Sequence, residues 1–322
     1  MAIPRLSVVV PNFNHGSHLP ACLDSLLRQS VAPIEIIVID DGSNKPGDPS
    51  LEVMDRYARA HSLIKPHRNP KNLGVVATMN RGIELATGDY LFFMAADDEV
   101  SAGFFEKSLA LLGQYPQAAL SCTVSVWTYV ENGLTWHMGA GMANRACFLS
   151  PQQLVEVGRR GKLLIPTCST IMKRQPLIEA GRFIPDLKWH CDWFATLVPA
   201  FRHGMCYVPE PLSLFQISSG GYYNTGRKAA EHQAVLQRLV QLLSSSEYAD
   251  IRDQVRESGA LCMFGLPMLR ILVSDTHYRF FINATLLSRT LRRTAELTGK
   301  RLLPKWLARR VLDLLYHQPQ KA

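Results

Sequence analysis

The sequence predicts an α/β fold, a mostly parallel sheet flanked by helices with a C-terminal helical extension. Two observations carry this: short apolar runs alternate with amphipathic stretches through the first half, and helical periodicity dominates residues 225–322. Residues 6–11, 34–39 and 90–94 are near-continuous apolar runs, the pattern of strands buried on both faces. Between them, residues 18–29 set Leu19, Cys22, Leu23, Leu26 and Leu27 at helical spacing. Residues 75–86 do the same with Val76, Met79, Ile83 and Ala86 before Gly88 stops the helix. Further on, 120–129 reads as a strand, and 151–160 and 192–203 read as helices. This half finishes a domain over residues 1–224. Beyond Gly220, Gly221, Tyr222 and Tyr223, helices are expected over 227–243, 249–273, 279–297 and 305–316.

At 322 residues the chain can bury a core without disulfide or metal staples. Its seven cysteines are scattered without close pairs, which fits neither a disulfide framework nor a zinc site and points to a reducing, cytoplasmic setting. The first apolar run is too short for a secretory signal and ends in Pro11-Asn12, so export is not expected. Residues 261–273 are interrupted by Gly265, Pro267 and Arg270, and fall short of the roughly 20 residues of a spanning helix. The net charge of +8 is concentrated at one end: residues 270–322 hold 11 Lys/Arg against 3 Asp/Glu, and the rest of the chain is balanced.

In open α/β sheets the chemistry gathers at the carboxyl ends of the strands. Neither G-x-G-x-x-G nor G-x-x-x-x-G-K-[ST] follows any strand, which disfavours a dinucleotide or ATP fold. What does occur is Val-Pro-Asn-Phe-Asn at 10–14, Ile-Asp-Asp-Gly-Ser at 39–43, and Asn72-Leu73-Gly74 with Asn80 and Gly82. Ala86-Thr87-Gly88-Asp89-Tyr90 then opens the strand that ends in Ala-Ala-Asp-Asp-Glu at 95–99. Taken singly, such segments are turn chemistry.

In this order and spacing, over residues 5–218, they resemble glycosyltransferase family 2. The resemblance implies a GT-A, Rossmann-like fold and an inverting transfer of sugar from a nucleotide-diphosphate donor, a UDP-sugar by analogy. It places Pro11, Asn12, Phe13 and Asn14 beside the nucleotide base, with Asp40 or Asp41 on the base or ribose. Asn72 and Asp97 complete the nucleotide-binding set. Asp97 and Asp98 match the family's aspartate-rich motif, where a divalent cation, Mg²⁺ or Mn²⁺, bridges carboxylate and diphosphate. Adjacent buried carboxylates raise each other's pKa unless a cation compensates them. The family often has a further Asp where this chain has Ala95.

Pro166-Thr167-Cys168-Ser169-Thr170 looks like the family's acceptor-side segment, and Trp189-His190-Cys191-Asp192-Trp193 follows it. On local sequence Asp192 is an N-cap. Under the resemblance it is the general base, with Cys191 in place of an acidic neighbour. Relatives often carry a metal-binding His shortly after Pro209-Glu210-Pro211-Leu212, where this chain has Phe215, Gln216, Ile217 and Ser218. Ser218, water or His190 would complete the metal sphere.

The implied acceptor is a saccharide or lipid-linked saccharide, and the implied process is synthesis of a surface polysaccharide or glycan. Trp306, Leu307, Val311, Leu314 and Leu315 beside Lys305, Arg309 and Arg310 form a short apolar face with a cationic rim, suited to peripheral contact with the inner face of a membrane. No nucleic-acid-binding motif accompanies the charge. The rival readings are a nucleotidyltransferase-like nucleotide-sugar enzyme and a non-catalytic nucleotide-sugar-binding module.

Overall fold

The computed structural model describes residues 4–217 and 229–302. The chain divides into two compact units, one of Met1–Leu154 with Lys162–Lys228, the other of Val155–Gly161 with Ala229–Ala322.

The first unit opens with β1 (Leu6–Asn12), α1 (Leu19–Leu27), β2 (Glu35–Asp40), α2 (Ser50–Ala60), β3 (Ile64–Arg68), α3 (Val75–Leu85) and β4 (Tyr90–Phe93). Then come β5 (Glu99–Val100), α4 (Phe104–Gln114), β6 (Leu120–Tyr129), β7 (Thr135–Met138), β8 (Cys147–Leu149) and α5 (Pro151–Arg159), of which the residues from Val155 on belong to the second unit. A 3₁₀ turn (Thr167–Ser169) leads into β9 (Thr170–Lys173), α6 (Arg174–Glu179), a second 3₁₀ turn (Pro185–His190), α7 (Cys191–His203) and β10 (Met205–Ile217).

The strands form one sheet in the order β3-β2-β1-β4-β9-β6-β10-β5, with β7 on β6 and β8 on β10. β1 pairs parallel with β2 and β4, β2 with β3, and β6 with β10. β9 is antiparallel to both β4 and β6, so β1, β2, β3, β4, β6 and β10 share one direction while β9 runs against them. The sheet is therefore mixed. The start of β9, with the turn Thr167–Ser169 ahead of it, accordingly lies at the carboxyl edge of its neighbours.

The core packs α1, α4 and the even-numbered residues of β1 together: Val8, Val10, Leu19, Leu23, Leu26, Phe92, Phe104 and Phe105 are all buried. On the other face α3 approaches β1 closely. A Cβ added at Gly82 would lie 2.3 Å from Cγ1 of Val9, a fully buried β-branched side chain. Gly82→Ala should destabilise the protein by about 1–3 kcal/mol through overpacking, read as a lower denaturant midpoint at unchanged slope.

β10 is interrupted at Pro209-Glu210-Pro211, where its register on β6 shifts twice. Prolines cannot donate to a ladder and are tolerated at such bulges. The second half of the strand then pairs with β5, which follows the Asp97-Asp98 pair.

The second unit contains α8 (Ala229–Ser244), α9 (Arg252–Ser258), α10 (Gly265–Ser274) and α11 (Ala284–Leu302), with 3₁₀ segments at Ser246–Ile251, Ala260–Phe264 and Thr276–Phe281. The single helix expected over 249–273 is broken: Gly259 and Gly265 adopt φ of 66° and 64°, left-handed values open to glycine at little cost. Among the described residues no single helix is long and apolar enough to cross a membrane. Ser246–Ser258 and Ala260–Ser274 reach that length and composition only together, across a 70° bend. The expected helix over 305–316, its apolar and cationic residues, Ser218 and the segment Gly220 to Tyr223 lie outside the described residues.

Candidate active site

The carboxyl edge brings together three strand ends. β1 finishes in Asn12, whose register partner is Asp40 at the end of β2. Asn12 is 1% exposed, and its amide donates to Asp40 Oδ1 (3.1 Å) and Ser50 Oγ (2.9 Å). Its amide nitrogen thus clamps β1, β2 and α2 together, while its Oδ1 is buried without a hydrogen-bond partner. Phe13, the next residue, is exposed at the edge. Asn14 takes φ 58°, which Asn tolerates better than most residues. Its Oδ1 accepts from the N–H groups of Asn44 and Lys45 (2.9 and 3.0 Å), and its own N–H donates to Ser43 Oγ. Asn14 therefore fixes the loop after β2.

Asp40 and Asp41 are both buried. Asp40 accepts from Asn12 and from the Ser43 N–H, with the Arg68 guanidinium 3.4 Å away. Asp41 accepts from Asn69 (2.6 Å), the Leu73 N–H (2.9 Å) and the Gly74 N–H (2.9 Å), holding the loop Asn72-Leu73-Gly74 at the start of α3. Asn72, exposed, caps its own turn by accepting from Gly74 N–H. The structure thus spends most of both carboxylates on shaping the edge. Pro11 is half-buried beside them.

Beyond β4, Asp98 is almost completely buried and Asp97 partly open. The Gln216 N–H, from the strand that lacks the expected histidine, donates to Asp98 Oδ1 at 3.2 Å. The other oxygen, Oδ2, is buried with no hydrogen-bond partner. Burial pushes the Asp98 carboxyl well above the ordinary range and the neighbouring Asp97 raises it further, while Gln216 pulls it back. A buried acceptor left without a donor is costly. Among the described residues no group of three His, Cys, Asp or Glu side chains converges on a metal position. Two hard oxygens, one of them orphaned, fit a hard divalent cation whose remaining ligands are phosphate and water oxygens.

Sequence reasoning missed His15, whose Nδ1 lies 3.4 Å from Asp97 Oδ2; that contact raises the imidazole's pKa. The only signal was its place directly after the 10–14 motif.

Asp192 sits inside the first turn of α7, after Cys191, with His190 as the cap residue; it is not the N-cap that local sequence suggests. Its Oδ1 accepts from the Trp193 N–H at 2.6 Å. Burial raises its pKa to about 6, against the lowering pull of backbone N–H groups and of the Thr167 hydroxyl. Thr167 lies close without reaching hydrogen-bond geometry, and its Oγ1 is buried. The next residue, Cys168, feels the charge of Asp98, and its carbonyl accepts from Ser213 Oγ at 2.8 Å. One short turn, Thr167–Ser169, thus lies within electrostatic reach of both Asp192 and Asp98. α3 braces the loop before α7, because Asn80 donates to the Phe183 carbonyl (2.8 Å) and accepts from its N–H (3.2 Å). The cavity lined by Thr87, Asp89, Tyr90, Lys173 and Arg174 opens at the other end of β4, away from these carboxylates.

Such an edge, with clamped loops after β1 and β2 and paired carboxylates after β4, defines a class of α/β proteins. The chain belongs to Glycosyl transferase family 2, whose profile matches residues 7–178. It is 35% identical over 132 residues to the glycosyltransferase YibD of Escherichia coli (41% of this chain, 37% of that protein). A PGL/p-HBAD biosynthesis glycosyltransferase of Mycobacterium bovis is 35% identical over 122 residues (37% and 46%). EpsH of Bacillus subtilis is 33% identical over 222 residues (67% and 62%). The chain thus spans less than half the length of the first two relatives. Among solved structures, S. aureus TarS 1-349 in complex with UDP-GlcNAc superposes with a TM-score of 0.63 at 16% identity, covering 84% of this chain and 73% of that one. The likeness is one of fold.

Proposed function

We propose that this chain is an inverting glycosyltransferase that moves a sugar from a nucleotide diphosphate, a UDP-sugar, to a hydroxyl of a saccharide or lipid-linked saccharide. The observation that carries the reading is the turn Thr167–Ser169, which lies near a half-buried aspartate of raised pKa, Asp192, and near the buried carboxylate of Asp98. The UDP-GlcNAc held by TarS and the biosynthetic name of the mycobacterial relative favour this donor and a surface glycan as product. A lipid-linked acceptor would bring the protein to the inner face of a membrane through its C-terminal helices.

Pro11, Phe13 and Asn72 would face the nucleotide, on an edge that Asn12, Asn14, Asp40 and Asp41 hold in shape. Asp97 and Asp98 would hold Mg²⁺ or Mn²⁺. The cation's chemistry is to neutralise the diphosphate that leaves. Asp192 takes the proton of the acceptor hydroxyl as that oxygen attacks the anomeric carbon opposite the diphosphate, and the configuration inverts.

The test is a product search by mass spectrometry and NMR after incubation with UDP-sugars, Mn²⁺ and saccharide acceptors. Free nucleoside diphosphate with an inverted glycoside is expected. A new nucleotide sugar with pyrophosphate would favour a nucleotidyltransferase, and an untouched donor a binding module.

The raised pKa of Asp192 sets the acid limb. A base must be ionised, so kcat should be nearly full above pH 7 and fall about tenfold per unit well below pH 6, where the carboxylate is protonated. A kcat that stays flat down to pH 4.5 would remove Asp192 from the role.

A further inference from the structure

The second unit carries more exposed apolar surface than its size warrants. Of the ten large hydrophobic side chains exposed among the described residues, five fall within Leu266 to Leu291, a short stretch of the chain. They are ordered by helical spacing. On α11, Leu286 and Thr290 are buried, and Leu287 and Leu291, one turn apart, are 38% and 63% exposed. On α10, which packs against α11, Met268, Ile271 and Leu272 are buried, and Leu266 and Val273, two turns apart, are 38% and 52% exposed with Arg270 between them. Phe280, also exposed, lies under the Arg256 guanidinium at 5.0 Å.

The charge around these stripes is mainly positive. Residues 266–296 contain Arg270, Arg279, Arg289, Arg292 and Arg293 against Asp275 and Glu296. Arg292 and Arg293 flank Leu291 directly and are exposed. Two copies of such a surface would repel, and a nucleic acid would have no use for leucines at every turn. An apolar stripe with an arginine rim matches an anionic bilayer, whose acyl boundary takes the leucines while its headgroups take the guanidinium groups.

We propose that the exposed stripes of α10 and α11 are a docking surface for an anionic lipid membrane. The inference rests on the functional reading only for the presence of a lipid-borne acceptor. Vesicle binding needs no sugar transfer, so the two can fail separately.

The test is co-sedimentation of the full chain with phosphatidylcholine vesicles with and without about 30% phosphatidylserine, each basic residue near such a surface adding to affinity. Binding is expected only to the anionic vesicles and should weaken with added salt. The double variant Leu287→Ser/Leu291→Ser, and separately Arg292→Gln/Arg293→Gln, should each lower the bound fraction at limiting lipid by about tenfold. Leu51→Ser, at an equally exposed leucine of the first unit, should leave it unchanged. Donor hydrolysis in solution should be unaffected in all three, which also reports that they fold. Full vesicle binding by the leucine variant would overturn the proposal. So would a stable dimer in light scattering that this variant dissolves, or binding to nucleic acid in place of vesicles.

Discussion

Replacing Asp192 by Asn is expected to cut turnover by about 10²–10⁴-fold while leaving nucleotide affinity close to that of the native protein. The substitution keeps the shape of the side chain and still accepts from the Trp193 N–H, so α7 should start where it does now. What disappears is the group able to take a proton. A loss confined to KM for the donor would contradict the assignment, because the proposed base acts on the acceptor and not on the donor. Thr167→Val offers a finer check. Its hydroxyl helps hold the Asp192 pKa down, so removing it should shift the acid limb of kcat to higher pH, and Thr167→Ser should restore it. A purely structural role for Thr167 would lower stability without moving that limb.

Asp98→Asn should weaken Mn²⁺-dependent nucleotide binding by at least about tenfold, since even outer-shell partners of a metal are worth that much. Calorimetric titration of UDP with and without Mn²⁺ reads it directly. Equal affinity for UDP in both conditions, in the native protein and the variant alike, would end the case for a cation at this position. The same variant has an opposite effect without the metal. Asp98 has a folded pKa above its unfolded value, so its contribution to stability is fully present below the unfolded pKa and is lost as pH rises through the folded one. Asn removes that loss. Metal-free Asp98→Asn should therefore melt higher than the metal-free native protein at neutral pH, by differential scanning fluorimetry, while gaining less from Mn²⁺ with UDP.

Local pattern revealed those parts of the molecule that local physics decides. β1, β2, β4, β6, α1, α3, α5 and α7 were readable because apolar runs and helical spacing mark burial without reference to partners. The place of β9 was not readable. A four-residue strand running against its neighbours carries no local sign of where it inserts, yet this reversal puts Thr167 and Cys168 at the carboxyl edge. Gly259 and Gly265 were visible, but a periodic apolar pattern continued across them and outweighed the two breaks.

Within the candidate site, residue types at strand ends marked the edge, but they did not separate contact from scaffold. Asn12 and Phe13 are neighbours in one motif, but Asn12 is the buried last residue of β1 and Phe13 begins the exposed loop beyond it. Likewise Asp40 and Asp41 read as a pair with one role between them, whereas their hydrogen bonds tie one to β1 and the other to the start of α3. His15 and Asp97 are 82 positions apart in sequence, so their contact follows only from β1 and β4 being neighbours in the sheet.

The assignment of residues 155–161 to the second unit has a consequence for protein engineering. Gly158 there has so little room that an added Cβ would meet Cβ of Ser258 at 2.5 Å, and Arg159 pairs with Glu257 at 2.6 Å. The helical part is thus not a detachable module encoded by one block of sequence. A chimera that exchanges everything after residue 228 between relatives would replace the native partners of Gly158 and Arg159. A graft that carries both segments together is the smallest one that transfers an intact folding unit.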